Sequence, residues 1–252
     1  MNPTTRFSER VDNYVLYRPA YPPQILDLMR DEMNLRENSV VAEIGSGTGI
    51  FARMLLEANY SVWGVEPNAH MRAAGEKFLN KFDKFKSVDG TAENTGLPDK
   101  SVDLVIAAQA FHWFEIPATK KEFERILQPD GAIALIWNER RLDSDAFSVD
   151  YGRLLAKYGD RYEVIRRSHG HEASVETFFA GSFGEKSFPN AQTLDYEGFK
   201  GRTLSSSFMP TAQDKNFSVM IDDLRKLFEK YQSADSITIF YDTKVFYKRN
   251  KS

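Results

Sequence analysis

The fold is decided by the stretch Ser39-Val40-Val41-Ala42-Glu43-Ile44-Gly45-Ser46-Gly47-Thr48-Gly49. Its first six residues read as a strand buried on both faces, and a glycine-rich turn ends it. The period then changes. Phe51, Met54, Leu55 and Ala58 stand at i, i+3, i+4 and i+7, one face of a helix. The local order is strand, tight glycine turn, helix.

Downstream the unit repeats. Ser61-Val62-Trp63-Gly64-Val65-Glu66 is a second strand, Pro67 is placed in the first turn of the next helix, and Met71, Ala74 and Phe78 supply its buried stripe. A third strand is predicted at Phe85 to Val88, a fourth at Val102 to Ala107 and a fifth at Ala132 to Trp137. Between the last two, Phe123, Ile126 and Leu127 mark a helix ended by Pro129-Asp130-Gly131. Strands alternating with helices at this spacing imply right-handed crossovers and a parallel α/β sheet over 37–137.

After Asn138 the rhythm breaks into a charged loop, followed by a helix carrying Phe147, Tyr151, Leu154, Leu155 and Tyr158 and closed by Gly159. The polar stretch from Arg166 to Pro210 offers one strand, near Phe183 to Phe188. Phe217, Met220, Ile221, Leu224, Leu227, Phe228 and Tyr231 define a long amphipathic helix, read as packing rather than as a partner or membrane-quinone groove. Ile237 to Lys248 is either one bent strand or a hairpin about Asp242-Thr243, since Asp-Thr is a poor two-residue turn.

Composition narrows the chemistry. The 252 residues suit one α/β domain with an insertion or small cap. With no cysteine, thiolate catalysis, disulfides and cysteine-ligated metals drop out, which fits a reducing compartment. Lys plus Arg number 33 against 36 acids, so no basic field exists to hold a nucleic acid. No segment approaches the roughly 20 apolar residues of a membrane span, and Met1 to Arg10 carries no apolar run; a soluble, cytoplasmic protein is expected. Aromatic residues make up 13% and many lie outside the sheet, which predicts an aromatic-lined cleft or a well-packed cap.

Gly45, Gly47 and Gly49 let the backbone take positive φ and pass close to a ligand at a helix N-terminus. Glu66, about 20 residues on and at the tip of strand two, is placed to accept from two ribose hydroxyls. This much is shared with dinucleotide enzymes: Gly47-Thr48-Gly49-Ile50-Phe51-Ala52 meets the looser form of their fingerprint, although Ile50 replaces the third glycine when counting begins at Gly45.

Four segments taken together are more specific: Glu43 to Gly49; Val65-Glu66-Pro67; Asp89-Gly90-Thr91-Ala92-Glu93 with Leu97-Pro98 before Val102-Asp103-Leu104-Val105; and Leu127-Gln128-Pro129-Asp130-Gly131. In this order they resemble a class I S-adenosylmethionine-dependent methyltransferase, of the branch (methyltransferase type 11) that includes ubiquinone/menaquinone and trans-aconitate methyltransferases. The resemblance extends to Tyr14, Arg18-Pro19 and Tyr21-Pro22, similar to that branch's lid helix, and to Gln109-Ala110-Phe111-His112-Trp113-Phe114. Asp130 departs from it, standing where a second glycine is frequent.

The resemblance implies a Rossmann-like, mostly parallel seven-stranded sheet with helices on both faces and an antiparallel C-terminal strand. Its expected parts are N-terminal lid helices (1–36), a cofactor-binding core (37–137), an insertion or helical cap (138–236) and a completing strand (237–252). It also implies that Gly45, Gly47 and Gly49 pass beneath the methionine part of S-adenosylmethionine, with Glu43 orienting its ammonium directly or through water. Glu66 and Pro67 fall at the ribose, Thr91 and Ala92 at the adenine edge, Gln109 beside the sulfonium. A cofactor with a sulfonium and an ammonium but no phosphate suits two carboxylates, and Phe111 or Trp113 offers it a cation–π face.

Methyl transfer from sulfur is an in-line displacement, so holding the acceptor within about 3.5 Å and aligned supplies much of the catalysis. For a phenol or quinol, His112 is the candidate base; for a carboxylic acid none is needed. Trp113 and Arg140 are candidate substrate contacts, and Arg18 either reaches the cofactor's carboxylate or an anionic substrate, or caps a helix or pairs with a surface acid. Arg140, Arg141, Arg166, Arg167 and His169 form either an anion receptor or a solvated face. His169-Gly170-His171 lacks a third ligand, so no metal is expected. The expected activity is methyl transfer to a small molecule; a nicotinamide oxidoreductase and a non-catalytic cofactor-binding module are the alternatives. The acceptor's identity and the oligomeric state are not legible in the chain.

Overall fold

The computed structural model describes residues 16–160, 162 and 172–250. Seven strands form one sheet: β1 (Val40–Ile44), β2 (Ser61–Val65), β3 (Phe85–Val88), β4 (Val102–Ala108), β5 (Leu127–Arg140), β6 (Gly184–Leu194) and β7 (Ile237–Arg249). Their spatial order is β3-β2-β1-β4-β5-β7-β6. The first five are parallel, and β7 runs antiparallel to both of its neighbours. The chain reverses direction of build beside β1, leaving β1, β2 and β4 buried between two helical layers, which explains their continuous apolar reading.

On one face α1 (Gln24–Met33) and α2 (Ile50–Glu57) bury Ile25, Met29, Met33, Phe51 and Leu55, joined by Leu79 of α3 (Ala69–Leu79). On the other, α4 (Ile116–Ile126) and the short helix Glu172–Phe179 bury Phe123, Val175 and Phe178 against Trp137 and Phe246. In chain order the remaining helices are α5 (Ala146–Tyr158), α6 (Glu172–Phe179), α7 (Tyr196–Leu204) and α8 (Phe217–Tyr231). Helices α5, α7 and α8 make a third core with Ile237, Ile239 and Tyr241, where β6 and β7 run past the carboxyl ends of the parallel strands. That cap is clipped reciprocally: Lys157 and Tyr158 donate to Asp223, and Lys230 and Tyr231 donate to Asp150. These hydrogen bonds hold both carboxyls down at about 2.

Three local expectations change, and one open alternative is resolved. Pro67 precedes the helix instead of opening it: Asn68 is the N-cap of α3, accepting from the His70 and Met71 N–H groups at 3.0 Å, and a capping side chain outcompetes proline for that start. Leu127 belongs to β5, paired with Val102: it is already extended, with φ −77° and ψ 136°, and Pro129 holds the intervening Gln128 out of helical geometry as well. The stretch 166–210 holds α6, β6 and α7 among its described residues rather than one strand. The C-terminus is a single strand, with Asp242 opposite Glu139 and Thr243 opposite Asn138, so no hairpin forms there. Tyr14, Arg166, Arg167 and His169-Gly170-His171 lie outside the described residues.

Candidate active site

The carboxyl ends of β1, β2, β4 and β5 converge on the glycine turn. The Gly45 and Ser46 N–H groups donate to the Val65 carbonyl at 2.9 and 3.1 Å, stitching the turn to the end of β2. Gly45, Gly47 and Gly49 all take positive φ, at 69°, 56° and 81°. A Cβ on Gly45 would stand 2.5 Å from the Ala110 Cβ, and one on Gly49 2.5 Å from the Leu79 Cδ1, so both backbone shape and room exclude a side chain.

Glu66 leaves β2 and turns back over this loop. One carboxylate oxygen accepts the Gly47 N–H at 2.9 Å and the other the Asn68 N–H at 2.8 Å. Each oxygen keeps a further lone pair. Burial pushes the Glu66 carboxyl upward, opposed by those two N–H groups and by Arg72. Arg72 itself bridges the Glu66 carbonyl and the Asp89 carboxylate.

Glu43 is 2% exposed, and its Oε2 has no hydrogen-bond partner. Burial raises its carboxyl from 4.5 to about 8; the Ala52 N–H at the start of α2 opposes the rise and the Glu66 charge adds to it. The folded protein therefore holds a proton here that the unfolded chain releases, so the stabilisation is complete below pH 4.5 and is lost as pH rises through about 8. The ligand-free protein is expected to lose thermal stability across that window, and Glu43→Gln to flatten the loss. Melting curves at intervals of pH read this directly, and parallel profiles for the two proteins would contradict it.

The opposite wall follows β4. Gln109 is held at φ 60°, unusual for a side-chain-bearing residue, with its N–H on the Ile136 carbonyl and its amide on the Asn138 carbonyl. The next residues form a 3-10 turn, Phe111–Trp113. Phe111 is its buried anchor, ringed by Phe114, Trp137 and Phe178. His112 and Trp113 are exposed, their rings 4.9 Å apart. Beyond β3, Ala92 is buried and Thr91 is exposed, closing a turn with Asn94 through two hydrogen bonds.

Arg140 ends β5 beneath the cap, with one Nη on the Tyr162 hydroxyl at 2.7 Å, its guanidinium 4.7 Å from the Tyr151 ring centre, and a buried, unbonded Nε. Arg141 stands apart, committed to Asp242 by a bidentate pair, so it is no part of a shared anion receptor. Arg18 donates to the Ser205 carbonyl at 3.0 Å, tying the N-terminal segment to the end of α7.

A polar group that sequence reasoning did not find joins β5, β6 and β7 to the segment at residues 17–20. The Asn138 and Asn190 amides both donate to the Ala20 carbonyl, the Asn138 oxygen accepts from Asn190 and Thr243, and Gln192 donates to the Tyr17 carbonyl. The one available signal was the position of Asn138, next after the fifth apolar strand.

The methyltransferase domain family model matches residues 42–135. Two relatives from Schizosaccharomyces pombe, an uncharacterized methyltransferase-like protein and an uncharacterized methyltransferase, are 31% and 37% identical. The first match covers 95% of this chain and 93% of the relative, the second 92% and 91%. A solved structure from Anaeromyxobacter dehalogenans, assigned as a candidate type II methyltransferase, shares the fold with a TM-score of 0.73 at 19% identity, covering 93% of this chain and 98% of that one. The chain therefore belongs to the class I S-adenosylmethionine-dependent methyltransferases, with S-adenosylmethionine as cofactor. Among the described residues, no helix is long and apolar enough to cross a membrane.

Proposed function

We propose that the site formed by the glycine turn, Glu66 and the 3-10 turn methylates a small carboxylic acid, phenol or quinol. The observation that carries the reading is Glu66, whose two oxygens are oriented by backbone N–H groups over the glycine turn. Glu66, beside Pro67, holds the two ribose hydroxyls; Thr91 and Ala92 meet the adenine edge; Gly45, Gly47 and Gly49 pass beneath the methionine part, with Glu43 near its ammonium. The fit is chemical: a buried carboxylate with an unbonded oxygen accepts a cation, and an ammonium brought near Glu43 favours its ionised form. When bound, S-adenosylmethionine supplies a methyl group made electrophilic by its sulfonium.

The chain's own groups then position and deprotonate. Gln109 lines the place beside the reacting atoms, and Trp113 covers it. Arg140, with its unbonded Nε, offers a carboxylate acceptor a cation and a donor, and Arg18 fixes the N-terminal segment over the same opening. For a carboxylate acceptor, alignment suffices; for a hydroxyl, the exposed imidazole of His112 takes the proton.

Replacing Glu66 by Ala removes two hydrogen bonds to a charged acceptor, worth about 3 kcal/mol together, or roughly a hundredfold in affinity. Calorimetry with S-adenosylhomocysteine measures it. Equal affinity in the variant and the unsubstituted protein would defeat the assignment of this site.

A further inference from the structure

We infer that Glu122 is a positioning residue for the adenine side of the cofactor site, acting through Thr95. The inference rests on the reading, proposed above, that Thr91 and Ala92 meet the adenine edge. Glu122 lies on the inner face of α4, only 7% exposed, and its hydrogen bonds go to Thr95 and Arg125 rather than to residues assigned to the cofactor. Its Oε1 accepts from both the Thr95 N–H, at 2.8 Å, and the Thr95 hydroxyl, at 2.6 Å. Thr95 is wholly buried, and its carbonyl oxygen is only 2.6 Å from where a Cβ on Gly90 would stand. Gly90 is the residue before Thr91, so the position of Thr95 sets how close that turn comes to its neighbours.

Arg125 completes the fixture. It donates to both Glu122 oxygens and to the Leu97 carbonyl, so the loop is gripped at Thr95 and again at Leu97. At the other end of the same helix, the Glu93 carboxylate accepts the Glu115 N–H at 2.9 Å. Glu115 is the N-cap of α4 and follows the 3-10 turn with His112 and Trp113 by two residues. One rigid helix thus carries the wall beside the reacting atoms and holds the loop beside the adenine edge at both of its ends.

A buried ion pair is a weak source of stability, and an apolar side chain of similar size could fill the space under the loop. What such a residue could not do is accept the two Thr95 donors and so fix the loop in one position. A positioning role therefore predicts a loss of ligand discrimination, which a purely structural role does not.

The test uses the full chain and two ligands, S-adenosylhomocysteine and S-inosylhomocysteine, the latter with a carbonyl in place of the adenine amino group. The unsubstituted protein should bind the adenine form more tightly. Thr95→Val and Glu122→Ala, with melting curves to show that each is folded, should weaken the adenine form about tenfold, as expected for one charge-assisted hydrogen bond. They should also shrink the preference between the two ligands severalfold, and Thr95→Ser should restore both. Equal losses for the two ligands, an unchanged preference in the folded variants, or no preference in the unsubstituted protein overturns the inference. Because Thr95→Val keeps the backbone donor and the apolar volume, it decides the matter if Glu122→Ala does not fold. Weakening by Glu66→Ala alone sinks the role of Glu122 and leaves the site standing, whereas normal affinity in Glu66→Ala removes the site itself.

Discussion

Gly45→Val is expected to abolish measurable binding of S-adenosylhomocysteine and to lower the unfolding temperature by about 10 °C. Two costs add. At φ 69° a β-branched residue is strained by about 1–2 kcal/mol. The new Cβ would also stand 2.5 Å from the Ala110 Cβ and 3.5 Å from the Phe114 ring, an overpacking worth another 1–3 kcal/mol. Roughly 3 kcal/mol in a chain of this size corresponds to about 10 °C. Relief of the clash separates β1 from the end of β4, the two tips between which Glu66, Gln109 and the 3-10 turn converge. Gly47→Ala is the control, since its Cβ would meet only the mobile end of Met71 at 3.4 Å, leaving the cost of φ 56°. Scanning calorimetry and titration with S-adenosylhomocysteine check both variants; normal affinity in Gly45→Val would show that the turn does not form the seat.

The parallel half of the sheet was legible because burial on both faces selects apolar residues: β1 and β4 are apolar apart from Glu43 and Asp103, and at Gly45 and Gly49 the turn between β1 and α2 has no room for a side chain. Within the candidate site, the placement of Glu66 beside the glycine turn was legible because its distance from the glycines is a property of one crossover. The cap was less legible for a physical reason. In α7 the buried positions include Gly198, Gly201 and Thr203, which hydropathy does not register. Gly201 is required because the Tyr17 ring lies 2.1 Å from where its Cβ would be, a constraint imposed by residues far away in the chain. In β6 the outermost strand exposes Glu185, Lys186 and Ser187 and contains Pro189, which an edge tolerates and a strand reading penalises. Arg141 looked equivalent to Arg140 until the register of β7 placed Asp242 beside it. Glu122 was hidden in the same way, as one acid among several on an amphipathic helix.

Trp137→Ala should cost about 4 kcal/mol, as large aromatic truncations in cores do, and lower the unfolding temperature by about 10 °C. Trp137 is 1% exposed near the carboxyl end of β5, edge-on to Phe111 at 6.1 Å and to Phe246 at 5.8 Å. The cavity left behind would be lined by those rings and would stay apolar, so the loss exceeds the transfer free energy of the indole alone. It would also reach the site. Phe111 anchors the 3-10 turn, and without Trp137 its described ring contacts are reduced to Phe178 and Phe114, so S-adenosylhomocysteine should bind more weakly, though far less so than in Gly45→Val. Free indole matches the missing side chain, and its binding to the folded state alone would restore part of the lost unfolding temperature in proportion to its concentration. Trp137→Phe, which keeps an aromatic ring, should fall between the two. A melting point for Trp137→Ala within a few degrees of the unsubstituted protein would mean that this face of the sheet closes over the gap, and that the site does not depend on it.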